Sequence, residues 1–314
     1  VVDISAARLW LGGVLLSALV ACAGLPVPRI DERSLAPRVE LTSVAFFPQE
    51  DHQCGPAALA TLLTFAGATV TPDALLAQVY LPARQGSLQV ELLAATRRHA
   101  RVPYLLEPQL DDVLREVAAG QPVLVLQNLG MAWLPVWHYA VVVGFDLPQR
   151  EMILRSGRES RRVVDIAEFE RSWARAQHWA LVITPLERVP ATADASRYLN
   201  AIAELETQQQ FAATARAYTA ALSRWPGNVA ARFGLGNSRY GLGEFVLAEQ
   251  QFRELLAQQP TLGVAWNNLA MSLLAQQRWD DAQDAAQQAL QLGDASAAAA
   301  RATLAEIDAG RSGK

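Results

Sequence analysis

The chain has 314 residues, of which 51% are hydrophobic and 18% charged, with a net charge of −4 and two cysteines. At ~100–200 residues per domain this length suggests two domains, and the composition is that of a folded chain rather than a disordered one. The weakly acidic balance argues against a nucleic-acid binder that relies on a basic surface, and two cysteines exclude a disulfide framework, a cysteine-rich zinc module and an iron–sulfur cluster.

The N-terminal segment places Arg8 before an apolar run from Leu9 to Val20, then Ala21 and Cys22. A basic residue, a short apolar stretch and a small residue before a cut site form a secretory signal, and the run is too short for a membrane-spanning helix of about 20 residues. Leu19-Val20-Ala21-Cys22 resembles the lipobox of bacterial lipoproteins, in which the cysteine takes the lipid. This resemblance implies lipidation at Cys22 and an envelope location. Ala23, rather than Asp, after the cysteine implies the outer membrane facing the periplasm. Residues 1–22 are then a signal peptide, and 23–39, with Pro26, Pro28 and Pro37, a tether.

A domain over 40–187 follows. Cys54-Gly55-Pro56 leads into Ala57–Leu63, which has helical periodicity, and Pro56 suits the first helical position. Cys54 therefore lies at a helix N-terminus, where unpaired N–H groups favour a thiolate and lower its pKa. Thr71-Pro72-Asp73 starts a helix running to Val79. His99 falls on a polar helical face beside Arg97 and Arg98. Leu110–Ala119 is a helix with Asp111 and Asp112 in its first turn, and Pro122–Gln127 is an apolar strand. His138 opens the strand Tyr139–Asp146, and Met152–Gly157 forms a second apolar segment. Phe169–Trp173 is an amphipathic turn with core aromatics, and His178 precedes a strand over Trp179–Ile183.

From Pro185 onward Ala, Gln and Leu dominate. Pro226 and Pro260 lie 34 residues apart, the period of a tetratricopeptide repeat. Three units align on it, Ala195–Asn228, Val229–Leu262 and Gly263–Ser296, with Leu304–Ile307 on a capping helix, so 195–310 reads as one solenoid. Trp266, Tyr240 and Phe252 read as core, whereas Asn237, Asn267 and Asn268 are groove candidates for a partner's backbone.

A thiolate nucleophile needs a base, and a histidine opening a rigid central strand is better held than one in a loop. Gln49-x4-Cys54-Gly55-Pro56-Ala57, followed by His138-Tyr139 and Gly144-Phe145-Asp146, resembles the papain-like cysteine peptidases of the bacteriocin-leader (double-glycine) family over roughly 39–187. Gly86-Ser87-Leu88 with Glu91-Leu92 resembles the start of that family's middle helix. The resemblance implies Cys54 as nucleophile, His138 as base and Gln49 as oxyanion donor, with peptide cleavage after Gly-Gly. Gln49 stands five residues before the cysteine where the family more often has six, so Gln53 is an alternative donor. Ser156 stands where the family's orienting Asp is expected. A serine accepts a hydrogen bond from imidazole but brings no charge, and Asp146 is an alternative partner that also reads as a turn residue.

The expected fold is thus an α+β papain-like cysteine peptidase domain followed by an all-α tetratricopeptide-repeat solenoid. The expected function is a lipid-anchored thiol peptidase without cofactor or metal. Its substrate is a peptide or protein, and its repeats recruit a protein partner. The alternative is a catalytically weak, peptidase-like scaffold of the cell envelope, motivated by the missing Asp. A metal site on His52 and Cys54 is a minor third reading, since no further His or Cys stands near them.

Overall fold

The computed structural model describes residues 35–49, 53–293 and 295–312. The signal-like run, Cys22, His52 and most of the tether lie outside them. The strands are β1 (Arg38–Glu40), β2 (Tyr80–Leu81), β3 (Gly86–Ser87), β4 (Pro103–Leu105), β5 (Val123–Asn128), β6 (Trp137–Asp146), β7 (Glu151–Ser156), β8 (Glu159–Asp165) and β9 (Ala180–Ile183). The helices interleaved with them are α1 (Cys54–Phe65), α2 (Pro72–Val79), α3 (Gln89–Arg98), α4 (Leu110–Ala118) and α5 (Ile166–Ala174).

A seven-stranded antiparallel sheet runs β4-β9-β5-β6-β7-β8, with β1 paired to the far end of β6. Its two faces bury different cores. Leu124, Leu126, Tyr139, Val141, Val143 and Ile153 pack with α1, α2 and α3. Val125, Ala140, Val142, Phe145, Met152 and Leu154 pack with α4 and α5. The alternation breaks between Val142 and Gly144, where the β6–β7 register shifts. One extra residue there inverts the parity, so Phe145 falls on the same face as Val142. Gly144 is required at this point, because a Cβ would lie 2.6 Å from the Val39 carbonyl oxygen of β1.

Helix α1 is buried from Gly55 to Leu63. An apolar surface all round suits a helix held between the sheet and two others. Thr71 caps α2, its hydroxyl accepting from the Ala74 N–H. Three expectations are corrected here. Pro56 is the third helical residue rather than the first, still within the turn whose N–H groups lack helical partners. Phe169–Trp173 is not a turn but most of the nine-residue helix α5, capped by Asp165, with Phe169 and Trp173 fully buried. Residues 35–39 are part of the fold rather than a free tether: Leu35 and Val39 pack on the core, and the Pro37 carbonyl accepts from the Leu147 N–H.

The helical region comprises α6 (Ala195–Glu206), α7 (Phe211–Arg224), α8 (Val229–Gly241), α9 (Phe245–Gln258), α10 (Gly263–Ala275), α11 (Trp279–Leu292) and α12 (Ala297–Ser312). Pairs begin at Ala195, Val229 and Gly263, each 34 residues after the last. Close packing depends on glycine: a Cβ at Gly234 would lie 2.3 Å from the Tyr218 ring, and one at Gly236 2.6 Å from Phe252. Asn268 donates to Asn237 at 2.9 Å across α10 and α8. Asn267 is no groove residue. It is buried and accepts from Thr303 of α12 at 3.0 Å.

Candidate active site

Cys54 sits at the head of α1 and His138 is the second residue of β6. Both line one cleft of about 800 Å³, together with Gln49, Ser87, Trp137 and Gly157. His138 Nε2 lies 2.8 Å from Ser156 Oγ at the end of β7. That contact leaves Nδ1 as the nitrogen available to the cleft. Asp146 is not the partner. It ends β6, eight residues from His138 and so about 26 Å away along an extended strand, where it pairs with Arg38 and accepts from the Gln149 N–H.

Gln49 rather than Gln53 lines the cleft. Its backbone N–H donates to the Gly157 carbonyl at 3.0 Å, and its side-chain Oε1 accepts from the Gly157 N–H at 3.1 Å. With the oxygen so used, the amide presents Nε2 as its free donor end. Gly157 has φ +60°, a conformation glycine adopts without penalty, and it directly follows Ser156. The turn from β7 to β8 therefore fixes the histidine's partner and the glutamine together. Sequence reasoning did not single out Gly157; a lone glycine after a strand is too common a signal.

Burial sets the electrostatics. It pushes the Cys54 thiol above its ordinary value, against the backbone N–H groups of Tyr139, Gly55 and Cys54, which lower it. The expected depression at the helix N-terminus is therefore outweighed. Burial, with Arg162 second, brings His138 down to about 4. The resting pair is thiol and neutral imidazole.

Ser87 explains why glycine follows Cys54. A Cβ at Gly55 would meet Ser87 Oγ at 2.4 Å. Tyr139 donates its hydroxyl to the Ser87 carbonyl at 3.3 Å, tying β3 to β6 beside the cleft. Val136 and Trp137, which line the cleft, are both more than half exposed, as are Met131, Trp133 and Leu134 earlier in the same loop. Asn128 pins this loop, its Oδ1 accepting from the Gly130 and Val136 N–H groups.

His99 lies near Gln78, and His178 contacts Glu170 at 2.8 Å; neither lines the cleft. Among the described residues no group of three or more His, Cys, Asp or Glu is placed to hold a metal, and no helix is long and apolar enough to cross a membrane.

The comparisons agree with this architecture. Residues 41–181 match the Peptidase_C39 like family, and 263–295 match the tetratricopeptide repeat. The chain thus joins an α+β domain like that of the C39 peptidases to a tetratricopeptide-like helical region. Among solved structures it resembles a C39-like peptidase from Bacillus anthracis at 18% identity, covering 48% of this chain and 98% of that one with a TM-score of 0.41. It also resembles the peptidase domain of Streptococcus ComA, a bifunctional ABC transporter (18% identity, 45% and 98% covered, TM-score 0.38). The first tetratricopeptide domain of human RPAP3 matches the helical part (17% identity, 38% and 93% covered, TM-score 0.36). No curated protein matches the chain.

Proposed function

We propose that the protein is a thiol peptidase acting on a peptide or protein, with Cys54 as nucleophile, His138 as base and Gln49 as oxyanion donor. The observation that supports this best is the single cleft shared by Cys54, His138 and Gln49, with the glutamine's oxygen already engaged by Gly157. In this reading Nδ1 of His138 takes the thiol proton as sulfur attacks the carbonyl carbon. The developing oxyanion is met by Gln49 Nε2. The imidazolium returns the proton to the leaving amine, and water then hydrolyses the thioester. The exposed apolar wall formed by Val136 and Trp137 suits a substrate with an apolar segment beside the scissile bond. The lipobox-like Leu19–Cys22 supports attachment at an outer membrane, and the repeats support recruitment of a protein partner.

The test is labelling by a peptidyl thiol electrophile. Native protein should label at Cys54 faster than denatured protein, and His138→Ala should abolish the difference. Equal labelling of native and denatured chains would reject the peptidase reading. It would favour the second one, a peptide-binding scaffold, which the uncharged Ser156 and the neutral resting pair support.

A further inference from the structure

A second, smaller chamber of about 90 Å³ shares His138 with the cleft but is not lined by Cys54. Its wall includes His138 and Ser156 themselves, and its charged lining is Arg162 of β8 with Glu168 and Arg171 of α5 and Arg175 at the C-cap of that helix. Three guanidinium groups against one carboxylate leave a net positive charge. Arg162 is close enough to His138 to disfavour its protonation. On the cleft side the titratable or charged groups are Cys54, Arg84, Tyr139 and Arg158. Arg175 already donates to the Asn128 carbonyl, and Arg162 lies 3.7 Å from Glu159.

The serine hydroxyl poses a directional problem that a carboxylate would not. A carboxylate only accepts, so it forces the proton onto Nε2 and leaves Nδ1 as base. A hydroxyl can donate to Nε2 instead, which puts the ring proton on Nδ1, facing the nucleophile and useless as a base. What decides is whether the hydroxyl has a better acceptor on its other side. The chamber has Ser156 in its wall, is positively lined, and has the volume of about three liquid water molecules.

We infer that the chamber binds a small monovalent anion of the carboxylate or halide class, which accepts the Ser156 proton and so sets His138 in its Nε2–H tautomer. Serine and anion together do what a single carboxylate would. The net proton count is unchanged: the Ser156 O–H rotates from Nε2 to the anion, and by exchange with water the Nδ1–H bond is broken and an Nε2–H bond is formed. The catalytic consequence rests on the peptidase reading, but the binding and the tautomer do not.

Formate is the probe, titrated into protein carrying ¹⁵N-labelled histidine at constant ionic strength held by a bulky sulfonate buffer. His138 is identified by the signal lost in His138→Gln. At pH 7 formate should move the His138 nitrogens toward the Nε2–H pattern along a saturating curve. Arg162→Gln should weaken formate by about tenfold or more, the loss of one charge-assisted contact. Ser156→Asp should show the Nε2–H pattern without formate and respond no further. No shift in the wild type, or an equal shift with the sulfonate alone, overturns the inference. So does a wild type already in the Nε2–H form that Glu168→Gln abolishes, since Glu168 would then be the acceptor. None of these readings requires peptide hydrolysis, so failure here is distinct from failure of the peptidase assignment.

Discussion

At the scale of single residues, burial rather than pairing governs the site. His138 is down to about 4 in the fold, whereas an unfolded histidine titrates near 6.5. The native state therefore binds that proton less tightly than the unfolded chain. Its contribution to stability is fully present above about 6.5 and is lost as pH falls through about 4, by at most about 3 kcal/mol. Denaturant unfolding between pH 7 and 4 should show this loss, and His138→Gln should flatten it. An unchanged slope in that variant would reject the assignment. If the proposed peptidase function holds, the same neutrality predicts that the acid limb of a pH–rate profile for peptide cleavage falls near pH 4 instead of about 6.5, in buffers free of small carboxylates.

The elements are where sequence and structure separate most clearly. Helix α1 was legible because Cys-Gly-Pro ahead of an apolar run is both a helix start and a family pattern. The strands β5, β6 and β7 were legible as apolar runs, and the 34-residue spacing of Pro226 and Pro260 exposed the repeats. The short β2–β3 hairpin was not legible, because two-residue strands have no periodicity to read. Nor was the parity switch at Gly144, which depends on β1 approaching from far along the chain. Cys54 stood out as a thiol at a helix start and His138 as a histidine opening a strand, whereas the candidates Gln49 and Ser156 came only through the family resemblance. Their surroundings were not legible, since Ser87 and Gly157 act by contact with residues 32 and 108 positions away. The Gly55–Ser87 contact yields a prediction at this scale. Gly55→Ala forces a methyl into Ser87 and should cost about 1–3 kcal/mol, displacing β3 from the cleft wall. A Gly55→Ala protein with the wild-type Tm would show that the hairpin yields freely.

Across the whole molecule, the sheet region and the first helices of the repeat region share one hydrophobic core. Tyr198, Leu199, Ile202 and Leu205 of α6 share one core with Val102, Tyr104 and the sheet face beneath α4. Polar contacts close the joint. Tyr104 accepts at its hydroxyl from the Asp194 N–H at 3.0 Å, and Arg197 donates to the Leu105 carbonyl at 2.7 Å. Glu116 of α4 is fully buried and accepts from both the N–H and the hydroxyl of Thr192, each at 2.7 Å. Burial raises the Glu116 carboxyl above its ordinary value despite these donors. A raised carboxyl contributes fully below the unfolded value, near 4.5, and its contribution is lost as pH rises through the folded value. The stability of Glu116→Gln relative to wild type should therefore rise between pH 4.5 and 7, because glutamine keeps an acceptor for Thr192 and has no charge to desolvate. Glu116→Ala, which orphans the Thr192 donors, should lose about 1–3 kcal/mol. Its unfolding, followed both by near-ultraviolet signal and by helicity, should remain a single coincident transition, since a shared core couples the two regions. A Gln-minus-wild-type difference that is flat or falling with pH would mean that the latch works as a charge. Two separated transitions in the Ala variant would mean that Thr192, and not the apolar core, is what joins the repeats to the sheet.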